Sequence, residues 1–157
     1  MNWERLATHP PLDAYLQEVA LFLEAHLDHS PGLLWPEQEP ELPRTRDGVP
    51  DAILALHVVE GLTQALERPV EALGTTVPAG PAATHLLVLQ TAGAGQWTLS
   101  PARTDDDRPP LTMRLLEGEA LYVPPGYTAT ATHTEAARQV VLGIGESTPK
   151  GALAGAA

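Results

Sequence analysis

Six histidines, His9, His26, His29, His57, His85 and His133, are the side chains of this 157-residue chain best suited to proton chemistry, because imidazole titrates near neutral pH. His85 and His133 stand apart from the others: each is expected at the end of a β-strand, with Tyr122 and Tyr127 on neighbouring β-rich runs. An imidazole beside a phenol is a general base and a general acid. Cysteine is absent, and lysine occurs once, at Lys150. That removes thiolate nucleophiles, Cys-ligated zinc and disulfide staples, and it leaves one poor candidate for Schiff-base chemistry. Gly-x-Ser-x-Gly, the Walker A pattern, His-Glu-x-x-His and the dinucleotide fingerprint do not occur. Asp105, Asp106 and Asp107 lie in a charged stretch from Pro101 to Pro110 that lacks the Gly and terminal Glu of a calcium loop, so it reads as a solvated hairpin loop.

The elements that must position these groups change character near residue 70. From Leu12 to Leu27 the apolar residues Leu12, Tyr15, Leu16, Val19, Phe22, Leu23 and Leu27 mark one helical face, with His26 beside the stripe. Five prolines between His29 and Pro50 make an extended connector, anchored by Leu33, Leu34 and Trp35. Asp51 caps a second helix ending before Pro69, with Leu54, Val58, Leu62 and Leu66 on a stripe and His57 at a boundary position; Gly61 weakens its continuity. Strands are expected over 70–77, 84–91, 96–100, 111–116, 120–123, 127–133 and 139–144. Gly93 and Gly95 read as a hairpin turn, and the small residues after Glu146 as a frayed tail.

Nine Lys plus Arg against twenty Asp plus Glu give a formal charge of −11, which disfavours nucleic acid and anionic membranes. No apolar signal core or membrane-spanning run is visible, so a cytoplasmic location is expected. The length suits one domain with a proper core.

Two segments carry a family resemblance. Gly118, Pro124 and Gly126, within Gly-Glu-Ala-Leu-Tyr-Val-Pro-Pro-Gly-Tyr, resemble the second motif of the cupins, in the form found in JmjC-type, cupin-fold 2-oxoglutarate oxygenases. Upstream, Gln90, Gly93 and Trp97 resemble the same family's strand carrying Gln, then Gly, then Trp. The resemblance spans about residues 75 to 145. It implies a mainly β fold, a cupin or double-stranded β-helix (jelly-roll) barrel preceded by two helices. The expected organisation is one cupin-like domain over 1–146, with a helical region 1–69 containing the Pro-rich connector 28–50, a barrel core 70–146 and a flexible tail 147–157.

The same family holds iron with a His-x-Asp pair and a later His, leaving open positions for an oxo-acid and oxygen. On this sequence those positions fall at Gly80, Ala82 and Ala129. None can ligate a metal, so the resemblance carries over the scaffold without its catalytic residues, and neither metal nor other cofactor is expected.

Side chains alternate along a strand, so one face of 127–133 carries Tyr127, Ala129, Ala131 and His133. Tyr127, Ala129 and His133, with Gln90, Trp97 and Tyr122, are the expected lining of a small-molecule pocket in the barrel mouth, with Ala129 leaving room where a metal ligand would project. Three readings follow. The favoured one is a metal-free protein that binds a small molecule or a protein partner, accessory to a biosynthetic or modifying enzyme. The second is a metal-independent isomerase, epimerase or cyclase with His85 or His133 as base and Tyr127 or Tyr122 as acid. The third is a divergent iron and 2-oxoglutarate oxygenase, which requires His85, His133 and a carboxylate such as Glu119 or Asp105 to converge. Whether the chain is an enzyme stays open at this point. A homodimer through the N-terminal helices and Leu33, Leu34 and Trp35 is expected.

Overall fold

The computed structural model describes residues 10–27, 29–35, 51–101 and 109–146. His9, the connector beyond Trp35, Asp105 to Asp107 and the tail lie outside the described residues. The elements run α1 (Pro10–His26), β1 (Gly32–Leu34), α2 (Asp51–Leu66), β2 (Val70–Gly74), β3 (His85–Ala92), β4 (Ala94–Pro101), β5 (Leu111–Leu116), β6 (Ala120–Val123), β7 (Tyr127–His133) and β8 (Arg138–Ile144).

Both helices form where the apolar spacing demands them. α1 buries Tyr15, Leu16, Val19, Ala20 and Leu23 on one face, and α2 buries Ala55, Val58 and Leu62. Gly61 does not interrupt α2. It lets the helices touch, since a Cβ there would lie 2.6 Å from Leu16 Cδ1. His26 packs on Phe22, with ring centroids 4.5 Å apart. His57 is buried in α2 rather than at a boundary.

The strands form two antiparallel sheets, one of order β1-β6-β3-β8-β2 and one of order β5-β4-β7. The chain passes between the sheets from β3 to β4, from β5 to β6, from β6 to β7 and from β7 to β8, and closes into the expected jelly roll preceded by two helices. The strand that would flank β7 is reduced to one bridge, Pro81 to Thr128, reinforced by hydrogen bonds from Ala82 N to Tyr127 O and from Gly126 N to Ala82 O, each 2.9 Å. Proline has no N–H to give a ladder, which is why pairing stops there.

The five-stranded sheet is covered on both sides. One face, with Leu87, Leu89, Tyr122, Val140 and Leu142, packs on the helices. The other, with Leu86, Val88, Leu121, Val123 and Val141, packs on Trp97, Leu99 and Leu115 of the smaller sheet.

Two elements differ from expectation. β2 ends at Gly74, not Val77, because Gly74 turns the chain at φ +111°. Gly32–Leu34, expected within the connector, adds an edge strand to β6, with Leu33 packed on the interior cluster and Leu34 on the helical one. These two leucines are therefore not the free apolar surface proposed for a dimer, whereas Trp35, Leu21 and Leu56 are exposed. Among the described residues no helix is long and apolar enough to cross a membrane.

Candidate functional site: the polar end of the jelly roll

The interior of the larger sheet is organised in cross-strand rows. Leu33, Leu121, Val88 and Val141 are successive neighbours across β1, β6, β3 and β8, and all belong to the interior cluster. Two residues further along each strand, where side chains return to the same face, the row reads Trp35, Glu119, Gln90 and Gln139. The interior thus turns from aliphatic to polar within one layer. The smaller sheet closes this end with Leu115, Gly95 and His133, which are cross-strand neighbours, and with Trp97 one step below.

The layer is connected. Gln139 Nε2 donates to Thr75 O at 2.8 Å and lies 3.5 Å from His133 Nε2. His133 meets Trp97 edge-on, with ring centroids 5.7 Å apart. Gly95 permits this, since a Cβ there would be 2.9 Å from both His133 Nδ1 and Trp97 Nε1. Gln90 Nε2 donates to Ala92 O at 2.8 Å, which fixes the orientation of its amide. Glu119 is buried. Burial pushes its carboxyl above the usual carboxylate range, opposed by hydrogen bonds from the Leu116 backbone and the Trp35 side chain.

Three polar atoms of this layer are buried without a hydrogen-bond partner: Gln90 Oε1, Glu119 Oε2 and Trp97 Nε1. Each such atom costs about 1–3 kcal/mol unless something satisfies it. Three at one end of a fold make that end the place to look for a guest.

The expected pocket is divided by the structure. Gln90, Trp97 and His133 come together at the polar end. Tyr127 and Ala129 share the interior face with His133, but Tyr127 is six residues away along β7, roughly 20 Å at ~3.3 Å per residue. Ala129 and Tyr127 are partly buried and pack on the apolar interior cluster.

Tyr122 is not in the interior at all. It faces the helices with His85, whose Nδ1 lies 2.8 Å from the Tyr122 hydroxyl and whose Nε2 lies 3.2 Å from Glu146 Oε1. With the imidazole neutral and Glu146 ionised, Nε2–H donates to the carboxylate and Nδ1 accepts from the tyrosine. Arg68 continues the chain, 3.6 Å from Glu146 Oε2. This carboxylate, imidazole and phenol are connected for proton transfer, but His85 and Tyr122 are 1% and 0% exposed.

The residues do not fit an iron. The bridge of Pro81 to Thr128 brings Gly80 and Ala82 beside Ala129, as the cupin resemblance implies, and these positions carry no donor atom. Nor do His85 and His133 converge with Glu119. They lie on opposite faces of the fold and at opposite ends of it, since His85 is aligned with Ile144 and Gln90 with Gln139. Among the described residues no three His, Asp or Glu side chains gather as a metal site.

Sequence reasoning named Gln90, Trp97 and His133 but missed Gln139 and the relation of Glu119 and Trp35 to them. The signal available was the cupin-like Gln strand and the polar residue closing each neighbouring strand.

No protein family's sequence profile matches the chain, and no curated protein matches it. Among solved structures it is similar to Escherichia coli YcfD, a ribosomal oxygenase, in complex with cobalt and succinic acid: TM-score 0.49, 15% identity, over 85% of this chain and 53% of that one. It is also similar to RmlC from Streptococcus suis in complex with dTDP-D-xylose, with TM-score 0.36, 11% identity, and 53% and 45% of the two chains covered. A third is dTDP-4-dehydrorhamnose 3,5-epimerase from Sulfolobus tokodaii, with TM-score 0.35, 16% identity, and 52% and 47% covered. The matched region spans about half the length of each of these structures.

Proposed function

We propose that the chain is a metal-free cupin-like protein that binds a small molecule at the polar end of its jelly roll. The observation that carries this is the contrast between the two ends of one interior. At one, Gly80, Ala82 and Ala129 carry no donor side chain, and Ala82 and Ala129 pack with the apolar interior cluster. At the other, Gln90, Glu119 and Trp97 each bury a polar atom with no partner. Elemental analysis of purified protein, before and after incubation with iron(II), zinc and nickel, tests the metal-free part. The expected result is far below one equivalent of each; stoichiometric, chelator-sensitive metal overturns it.

A second reading is supported by the hydrogen-bonded Glu146, His85 and Tyr122: a metal-independent isomerase or cyclase with these as base and acid. Both groups sit in the core between helices and sheet, so this reading needs a substrate that reaches them there. His85→Ala leaving a measured turnover unchanged rejects it.

A further inference from the structure

We infer that the guest of the polar layer is a small uncharged molecule presenting a primary amide or ureido group; this deepens the metal-free binding reading and rests on it. The unpartnered atoms define the complement. Gln90 Oε1 accepts, Glu119 Oε2 accepts when its carboxyl is ionised, and Trp97 Nε1–H donates. A planar group with two N–H donors and one carbonyl acceptor carries the complement of all three. Carboxamides and ureas have that inventory, and a carboxylate does not.

Charge points the same way. The row Trp35, Glu119, Gln90, Gln139 and its cover Leu115, Gly95, His133 contain one carboxyl and no Arg or Lys. An oxo-acid or other small carboxylate would bring a second negative charge beside Glu119, whose own ionisation is already disfavoured by burial. Arg114 is not part of the layer: it is aligned with Gln96, on the face of the smaller sheet that points away from the interior.

His133 is exposed, and its ring covers Gly95 beside Trp97 Nε1. The open cavity of about 230 Å³ that Gly95 and His133 border, with Gln96, Arg114, Thr132 and Thr134, lies on the outer face of the smaller sheet and does not include Gln90, Glu119 or Trp97. Selectivity comes from the buried pair Gln90 and Glu119, because a buried acceptor left unmatched is penalised.

The test is an NMR titration of the full chain, following the indole N–H resonances, with that of Trp97 assigned through Trp97→Phe. Propionamide and N-methylurea are the probes; propionate and 2-oxoglutarate are the anionic comparisons. The expected result is a saturable shift of the Trp97 resonance with the two amide-type probes only, weakened about tenfold in Gln90→Glu, which keeps the side-chain shape and is checked for folding by circular dichroism. A shift caused by the carboxylates and not by the amides overturns the amide assignment while leaving a binding end in place. No shift with any probe up to tens of millimolar also overturns it, and the metal analysis above judges the underlying reading separately.

Discussion

Replacing Glu119 by Gln is the most informative single perturbation of the polar end. Glu119 is 8% exposed and its Oε2 has no partner. A glutamine there keeps an acceptor for the Leu116 N–H and the Trp35 side chain. Its Nε2 is a donor on the residue paired through the backbone with Gln90, whose Oε1 is the unpartnered acceptor of the same row. One substitution thus supplies complementary groups for two buried atoms, and E119Q is expected to stabilise the protein at pH 7 by about 1–3 kcal/mol. That corresponds to about 2–4 °C of Tm per kcal/mol for a chain of this size. The pH dependence follows from linkage. The folded carboxyl has a raised pKa, so between the unfolded and folded values the native state binds more protons, and stability falls as pH rises through that window. The advantage of E119Q is therefore largest above the folded pKa and shrinks as pH falls toward the unfolded value. Thermal unfolding of both proteins between about pH 3.5 and 8 measures it, with Glu135→Gln, on an exposed hairpin, controlling for the lost charge. E119Q less stable than the parent at pH 7, an equal gain in the control, or a difference that does not shrink in acid refutes the reasoning.

Three further outcomes are expected. Leu99→Ala, at a fully buried site of the interior cluster, lowers stability by about 2–5 kcal/mol in denaturant unfolding. Gly95→Val forces a side chain against Trp97 Nε1 and the His133 ring and costs roughly 1–3 kcal/mol, with loss of the Trp97 to His133 contact seen by NMR. Tyr122→Phe removes the hydroxyl 2.8 Å from His85 and costs about 1 kcal/mol, while metal content and amide binding stay unchanged.

The fold was legible where burial is one-sided. Along Tyr127–His133, Ala and Thr alternate, so the face carrying Ala129 and His133 could be read directly. β3 and β6 are buried on both sides, and a run such as Leu-Leu-Val-Leu has no alternation to reveal which residue faces which layer. That is why Tyr122 was assigned to the pocket lining and belongs, with His85, to the helical side. β1 was hidden because three residues among prolines carry too little pattern to stand out. Of the site, Gln90, Trp97 and His133 were recognisable from the cupin-like motif. Gln139 and Glu119 became partners through register alone, which pairs residues 49 and 29 positions from Gln90.

The single bridge between Pro81 and Thr128 makes the two flanks of the molecule unequal in firmness. β3 is clasped by β6 and β8 along its length, whereas β7 is laddered only to β4 beyond that bridge. Local opening begins where fewest backbone bonds must break together, so amide hydrogens of Thr130 to His133 trade with solvent before those of Leu87 to Leu89. The rim at His133 then loosens while the strand holding Gln90 stays fixed, giving the shell a hinge side and a rigid side.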